Sequence, residues 1–130
     1  MNVTAAAAAV VLGVLSPPAA PAPHVERGLK WLAGQQQPDG RWGGPNANFP
    51  TTATATAGLA FLMQGSTPTE GPYAANIRKA VEWFEKNAGD DGRLGGANPA
   101  ERNQYVHLHA DALLFVACAY EAEDDPARRA

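Results

Sequence analysis

Three side chains in the last third of the chain have the types that zinc sites use. His107, Asp111 and Cys118 are spaced four and seven residues apart, which places them within roughly 40° of one another on a helix. At 1.5 Å per residue, Cys118 lies about 10 Å beyond Asp111, so one ion cannot bind all three. We therefore predict no metal site, with His107 hydrogen-bonded to Asp111 on a half-buried face and Cys118 acting as a small hydrophobe. The alternatives are a polar pair that lines a cavity, or a metal site completed by other segments.

These residues belong to the last of four predicted helices. The predicted helices cover residues 24–36, 52–64, 74–88 and 105–122. In the first, Val25, Leu29 and Leu32 recur at helical spacing, and the third shows the same pattern, so each has one apolar face. The second and fourth are apolar nearly all round, which is typical of buried helices. Thr51 or Thr52 is the predicted N-cap of the second helix. No segment alternates with a period of two residues, so the predicted fold is all-α.

The chain contains an internal repeat. The register that aligns Trp31 with Trp83 also aligns Gly40 with Gly92. Further identities in this register are Asp39/Asp91, Arg41/Arg93, Gly43/Gly95 and Gly44/Gly96. A slightly longer offset, which pairs Thr54 with His109, aligns the second predicted helix with the fourth. We infer two copies of a helical hairpin, a pattern typical of solenoids and closed arrays.

The first copy contains the segment RGLKWLAGQQQPDGRW, residues 27–42. It resembles the QW motif of the terpene-cyclase and protein-prenyltransferase families, whose fold is an α/α toroid. The matching positions are Arg27, Gly28, Trp31, Leu32, Gln36, Gly40 and Trp42. The resemblance is closest to small bacterial prenyltransferase/squalene-oxidase-repeat proteins. It implies two tandem antiparallel hairpins that form part of an α/α toroid over residues 24–130.

The resemblance implies structural roles for these positions. Gln36 would cap the following helix, and Trp31 would pack over the amide and shield it from water. We expect all three tryptophans to be packing residues, and the predicted structural set is Arg27, Trp31, Gln36, Gly40, Trp42, Trp83 and Gly92. The second copy departs from the motif, with Ala88 and Leu94 at the glutamine and second tryptophan positions. Its connection to the rest of the fold would then rely on packing and on Asp90 or Asp91.

The catalytic motifs of the family are missing from the sequence. The string nearest to the Asp-x-Asp-Asp acid of squalene–hopene-type cyclases is EAEDD, residues 121–125, which we interpret as a solvated acidic helix end. The Asp-x-Cys zinc pair of prenyltransferases does not occur, nor does the GCGEQ thioester of complement-type toroids. His107 and Asp111 are therefore the only catalytic candidates, as cavity-lining residues, and no cofactor is predicted.

Composition and the first residues limit partners and location. A net charge of −3 without a basic run argues against nucleic-acid binding. The single cysteine rules out an intramolecular disulfide. Residues 1–23 are an apolar run, too short to span a bilayer, followed by an Ala/Pro segment. This order is that of a signal peptide, although no Lys or Arg precedes the apolar run. We expect export to the periplasm or the exterior, or a cytoplasmic protein if these residues are only a disordered leader.

The number of hairpins decides the predicted function. A closed toroid has more than two hairpins, and its active site is the cavity that closure creates. In EDDPARRA, residues 123–130, Asp125 is a candidate N-cap and Pro126 a first helical residue, as if a third outer helix began. We predict a non-catalytic repeat module or toroid fragment that acts in scaffolding or protein interaction. The alternative is part of a cyclase, transferase or lyase whose cavity forms only with further hairpins or subunits. Uncovered apolar edges predict self-association, aggregation, or a partner that carries the remaining hairpins.

Overall fold

The computed structural model describes residues 20–44, 46–96 and 98–129. Within these ranges the chain forms five α-helices and no strand, which confirms the predicted all-α class. The helices are α1 (Pro23–Gly34), α2 (Pro50–Met63), α3 (Ala74–Asn87), α4 (Tyr105–Glu121) and α5 (Pro126–Arg129). An isolated bridge between Ala88 and Leu94 closes the turn after α3. The signal peptide predicted over residues 1–23 lies almost wholly outside the described residues.

The starting points of the helices follow the internal repeat. The helices α1, α3 and α5 begin at Pro23, Ala74 and Pro126, which are almost evenly spaced along the chain. The helices α2 and α4 begin at Pro50 and Tyr105, a slightly longer interval. As predicted, α5 begins at Pro126, and the Asp125 carboxylate accepts a hydrogen bond from the Ala127 backbone N–H at 2.9 Å. The described ranges thus hold two helix pairs, α1 with α2 and α3 with α4, and a short helix in the register of α1 and α3.

Aromatic rings fill the interior between the two pairs. Phe61 of α2 stacks on Tyr73 at a centroid distance of 4.5 Å and also contacts Trp42 at 5.7 Å. Phe84 of α3 contacts Phe115 of α4 at 5.9 Å. These rings come from both copies of the repeat, so burial of their apolar surface stabilises the two pairs as one core.

The most extensive helix packing is between α2 and α4. Thr52 contacts Asp111 and Gly58 lies against Phe115, so the two helices run in the same direction. A Cβ at Gly58 would overlap the Phe115 ring, which means that only glycine permits this close approach. No helix in the described ranges combines the length and the apolarity that a membrane crossing requires.

Candidate functional site

The polar residues predicted near a cavity lie along α4 without forming a cluster. His107 is exposed and Asp111 is half-buried, and no hydrogen bond joins these two described residues. The Asp111 carboxylate instead accepts a hydrogen bond from the Thr52 hydroxyl at 3.5 Å, so the predicted His107–Asp111 pair is wrong. Cys118, which we predicted to act as a small hydrophobe, is exposed. Across residues 20–44, 46–96 and 98–129, no three His, Cys, Asp or Glu side chains are placed to hold a metal ion.

Gln36 connects the first turn to α3. Its Nε2 donates to the backbone carbonyls of Gly40 at 2.8 Å and Asn76 at 2.9 Å, and its Oε1 accepts from Asn76 Nδ2 at 2.7 Å. Gly40 has a φ of 100° and lies against the Lys79 carbonyl, where any Cβ would overlap that oxygen. Gln36 therefore bonds to the start of α3, and it does not cap the N-terminus of α2 as the motif implied.

The two tryptophans of the first copy have opposite environments. Trp42 is buried: its ring N–H donates to the Leu32 carbonyl at 2.7 Å, and its backbone N–H donates to the Thr54 hydroxyl at 3.0 Å. Trp31 is 66% exposed, so the expectation that it packs over Gln36 in the interior is wrong. The physical reason is its position on the outer side of α1, a helix in which Leu29 is the only buried residue. Arg27, on the same helix, is also exposed.

Trp83, the repeat counterpart of Trp31, is buried at 9% exposure and meets Phe84 edge-on at 5.0 Å. Gly92, the counterpart of Gly40, has a φ of 82° in an exposed turn. Asp91 in this turn pairs only with the adjacent Arg93, at 2.6 Å. The predicted connection of the second copy through Asp90 or Asp91 is therefore wrong, because both residues are exposed.

Buried Glu101 makes the connection that sequence reasoning missed. Its carboxylate accepts hydrogen bonds from the Thr51 backbone N–H and the Thr51 hydroxyl, each at 2.9 Å, and from the Gly96 backbone N–H at 3.0 Å. Thr51 is the second residue of α2, so Glu101 satisfies an unpaired N–H at that helix start. The prediction that Thr51 or Thr52 is the N-cap is wrong, because α2 begins at Pro50 and no side chain of its own first turn caps it. The same turn between α3 and α4 has a second connection, in which the Leu94 N–H donates a hydrogen bond at 3.0 Å to the ring of His109 on α4.

The acidic run after α4 is not wholly solvated, which corrects its interpretation as an exposed helix end. Glu123 is buried and accepts two hydrogen bonds from Arg128, at 2.9 and 3.1 Å, and one from the Asp125 N–H at 2.9 Å. These bonds, above all those from Arg128, hold the pKa of Glu123 below its ordinary value. The pair fastens α5 to the end of α4.

One side of α4 is apolar and exposed. The side chains in this surface, called the α4 stripe, are Val106, Ala110, Leu113, Leu114 and Ala117. They follow one another at helical spacing over about three turns. Leu113 is 50% exposed and Leu114 is 55% exposed. The opposite side of α4 is buried in the core. The helix therefore has two apolar sides, one packed against the core and one exposed.

A second open apolar surface lies beside α2. It is a groove of about 680 Å³ between α2 and the end of α1, called the α2 groove. The α2 residues in its wall are Ala53, Thr56, Ala57 and Ala60. Trp31, Leu32 and Trp42 line the side formed by α1 and the first turn. Small side chains on one wall and a large exposed ring on the other give a surface that can receive a ridge of aliphatic side chains.

Comparisons of the chain with protein-family models, with curated proteins and with solved structures find no match.

Proposed function

We propose that the chain is a helical-repeat module that acts by binding a protein surface and has no catalytic activity of its own. The observation that carries the proposal is the α4 stripe, in which leucine and valine side chains are about half exposed. Burying apolar surface is favourable by about 25 cal/mol per Å². Contiguous exposed apolar surface on a folded protein is a mark of an interaction site.

The polar groups around α4 support a structural use of this region. Asp111 binds the Thr52 hydroxyl, His109 accepts the Leu94 N–H, and Glu101 holds the start of α2. Each of these groups, which could otherwise act on a substrate, is engaged in holding helices or turns together.

We further propose that the two helix pairs are tandem antiparallel hairpins of a partial α/α toroid, as the QW resemblance implies. Three features support this architecture. The starts of the helices recur in step with the sequence repeat. The helices α2 and α4 run in the same direction. Finally, Gln36 in the turn of the first pair forms hydrogen bonds with Asn76 of α3, in the second pair.

The proposal is tested by site-specific photo-crosslinking in cells that express the full chain. A benzophenone amino acid replaces Leu113 in the α4 stripe, and the control places it at Glu85, an exposed position of α3. We expect covalent protein adducts from position 113, whether with another protein or with a second copy, and a much lower yield from position 85. Equal yields, or no adduct from position 113, would contradict an interaction role for α4.

A further inference from the structure

The α4 stripe occupies the same register as a face that α2 already buries. When the two helices are aligned by their first residues, Val106, Ala110, Leu113 and Ala117 of α4 correspond to Thr51, Ala55, Gly58 and Leu62 of α2. Thr51, Ala55 and Gly58 are buried, and Gly58 lies directly against Phe115 of α4. These four residues define the forward face of α2: its Gly58 packs on α4, and its Thr51 is covered by the turn before α4, where it contacts Gly95 and Glu101. The corresponding face of α4 is open.

The α2 groove is the reverse case. The buried face of α4 consists of Leu108, Ala112, Phe115 and Ala119. In the same alignment, the first three correspond to Ala53, Ala57 and Ala60, all in the wall of the α2 groove. The α2 positions that correspond to the buried face of α4 therefore border the α2 groove, where Ala53 and Ala60 are half-buried and Ala57 forms the buried floor. One molecule carries both halves of a helix–helix interface, one at each end of the repeat.

The side-chain sizes at the two open faces are complementary. Inside the chain, the smallest residue of the forward face of α2, Gly58, lies against the largest residue of the buried face of α4, Phe115. At the open faces these sizes are reversed: Leu113 stands at the position of Gly58, and Ala60 stands at the position of Phe115. A leucine–alanine contact can fill the space between two helices as a glycine–phenylalanine contact does.

The helices α1 and α3 also differ in exposure at corresponding positions. Asn76 and Lys79 of α3 contact the first turn, and Trp83 follows Lys79 by four residues on that side of the helix. Trp83 is buried, and its ring contacts Phe84. Its counterpart Trp31 faces outward from α1, beside the α2 groove. Val25 likewise is 43% exposed, whereas its counterpart Ile77 is fully buried.

We propose that a second copy of this chain binds head to tail, with the α4 stripe of one copy in the α2 groove of the next. The contact repeats the α2–α4 packing within the chain, with Leu113 of one copy against Ala60 of its neighbour, and it covers Trp31. This inference rests on the proposed function, because it names the partner of the α4 stripe. A head-to-tail interface uses two different surfaces, here the α4 stripe and the α2 groove. Every open assembly therefore still has one free stripe and one free groove, and it can add copies until it closes into a ring.

The test uses the full chain and two variants, each of which blocks one surface. Ala60→Glu puts a charge in the α2 groove, and Leu113→Glu puts one in the α4 stripe. Matched controls are Met63→Glu on α2 and Ala75→Glu on α3, at exposed positions outside both surfaces. Circular dichroism verifies that each variant keeps the helical content of the parent. Sedimentation velocity at tens of micromolar then measures the size of each protein and of equimolar mixtures.

We expect the parent and both controls to sediment as assemblies of two or more chains, and each blocked variant as a monomer. Mixing Ala60→Glu with Leu113→Glu should give a dimer and nothing larger, because one intact surface of each kind remains. If the parent associates but the mixture stays monomeric, the head-to-tail inference is overturned, while a position-113 crosslink would still support an interaction role. A monomeric parent overturns the inference as well, and the occupant would then be a different protein or the first residues of the chain.

Discussion

The two helix pairs share a sequence pattern but differ in how much of it they bury. In the second pair, Ile77, Trp83 and Phe115 are buried against the first pair or the core. In the first pair, the counterparts Val25, Trp31 and Ala60 line open surface. Sequence identity at Trp31 and Trp83 therefore does not give identical environments: Trp31 is 66% exposed and Trp83 is buried. In a repeat protein, the contribution of a residue to stability depends on whether an adjacent repeat packs against it.

The largest expected effect comes from replacing the two aligned tryptophans. Trp83→Ala should lower the free energy of unfolding by about 3–5 kcal/mol, because it removes a buried ring. Trp31→Ala should change it by less than about 0.5 kcal/mol in the monomer, because the ring is largely exposed. Urea unfolding on the Leu113→Glu background, where we expect a monomer, measures both. Equal losses at the two positions would show that the pairs have the same environment.

The next largest loss of stability is expected in the turn between α3 and α4, where Glu101 lies. Glu101→Ala should cost about 1–3 kcal/mol, because it leaves the Thr51 and Gly96 N–H groups of a buried site without their acceptor. Its control is Glu85→Ala, which removes an exposed carboxylate from α3. Chemical denaturation of the two variants gives the comparison. A loss no larger than that of the control would mean that Glu101 does not hold the start of α2.

A smaller effect is expected at the first turn. Gln36→Ala removes the hydrogen bonds to Gly40 and Asn76, which are only partly buried. We expect a loss of about 1 kcal/mol, against little change for Gln37→Ala, whose amide bonds only to the nearby Gln35 carbonyl. Thermal unfolding followed by circular dichroism resolves a difference of this size. If Gln36→Ala and Gln37→Ala melt alike, the contact with α3 adds no stability.

The smallest effect is a pH dependence at the end of α4. The pKa of Glu123 is lowered in the folded state by Arg128 and by the Asp125 N–H, so its ionised form stabilises folding. This contribution is fully present above the unfolded pKa, near 4.5, and is lost as the pH falls through the lower folded pKa. The Glu123→Gln variant should therefore lose less stability than the parent between pH 5 and pH 3, because it has no carboxylate to protonate at this position. Parallel acid titrations of both proteins would contradict the ion pair.

Local sequence signals predicted the helices and their order, but not the contacts between them. The repeat interval and the Asp125–Pro126 helix start were readable, because periodicity and capping depend on neighbouring residues. Glu101 was missed because its partner Thr51 lies far away in the sequence and no local pattern marks the pair. Glu123 was misread because its immediate context is acidic, whereas its partner Arg128 comes from the next helix. Trp31 was misplaced because the motif specifies a residue type and not what packs against the ring, and α1 buries only Leu29.

In the proposed head-to-tail interface, the open faces of α2 and α4 are two halves of one contact, with Leu113 against Ala60 at its centre. Exchanging the sizes of these two side chains tests whether they meet. Leu113→Ala should weaken association by leaving a void, and Ala60→Leu should weaken it by overfilling the groove. The double variant Ala60→Leu/Leu113→Ala should recover association about tenfold tighter than either single variant, because the introduced leucine of one copy then meets the introduced alanine of the next. Sedimentation equilibrium measures the three dissociation constants beside that of the parent. Additive weakening in the double variant would contradict the claim, because positions 60 and 113 would then not be in contact.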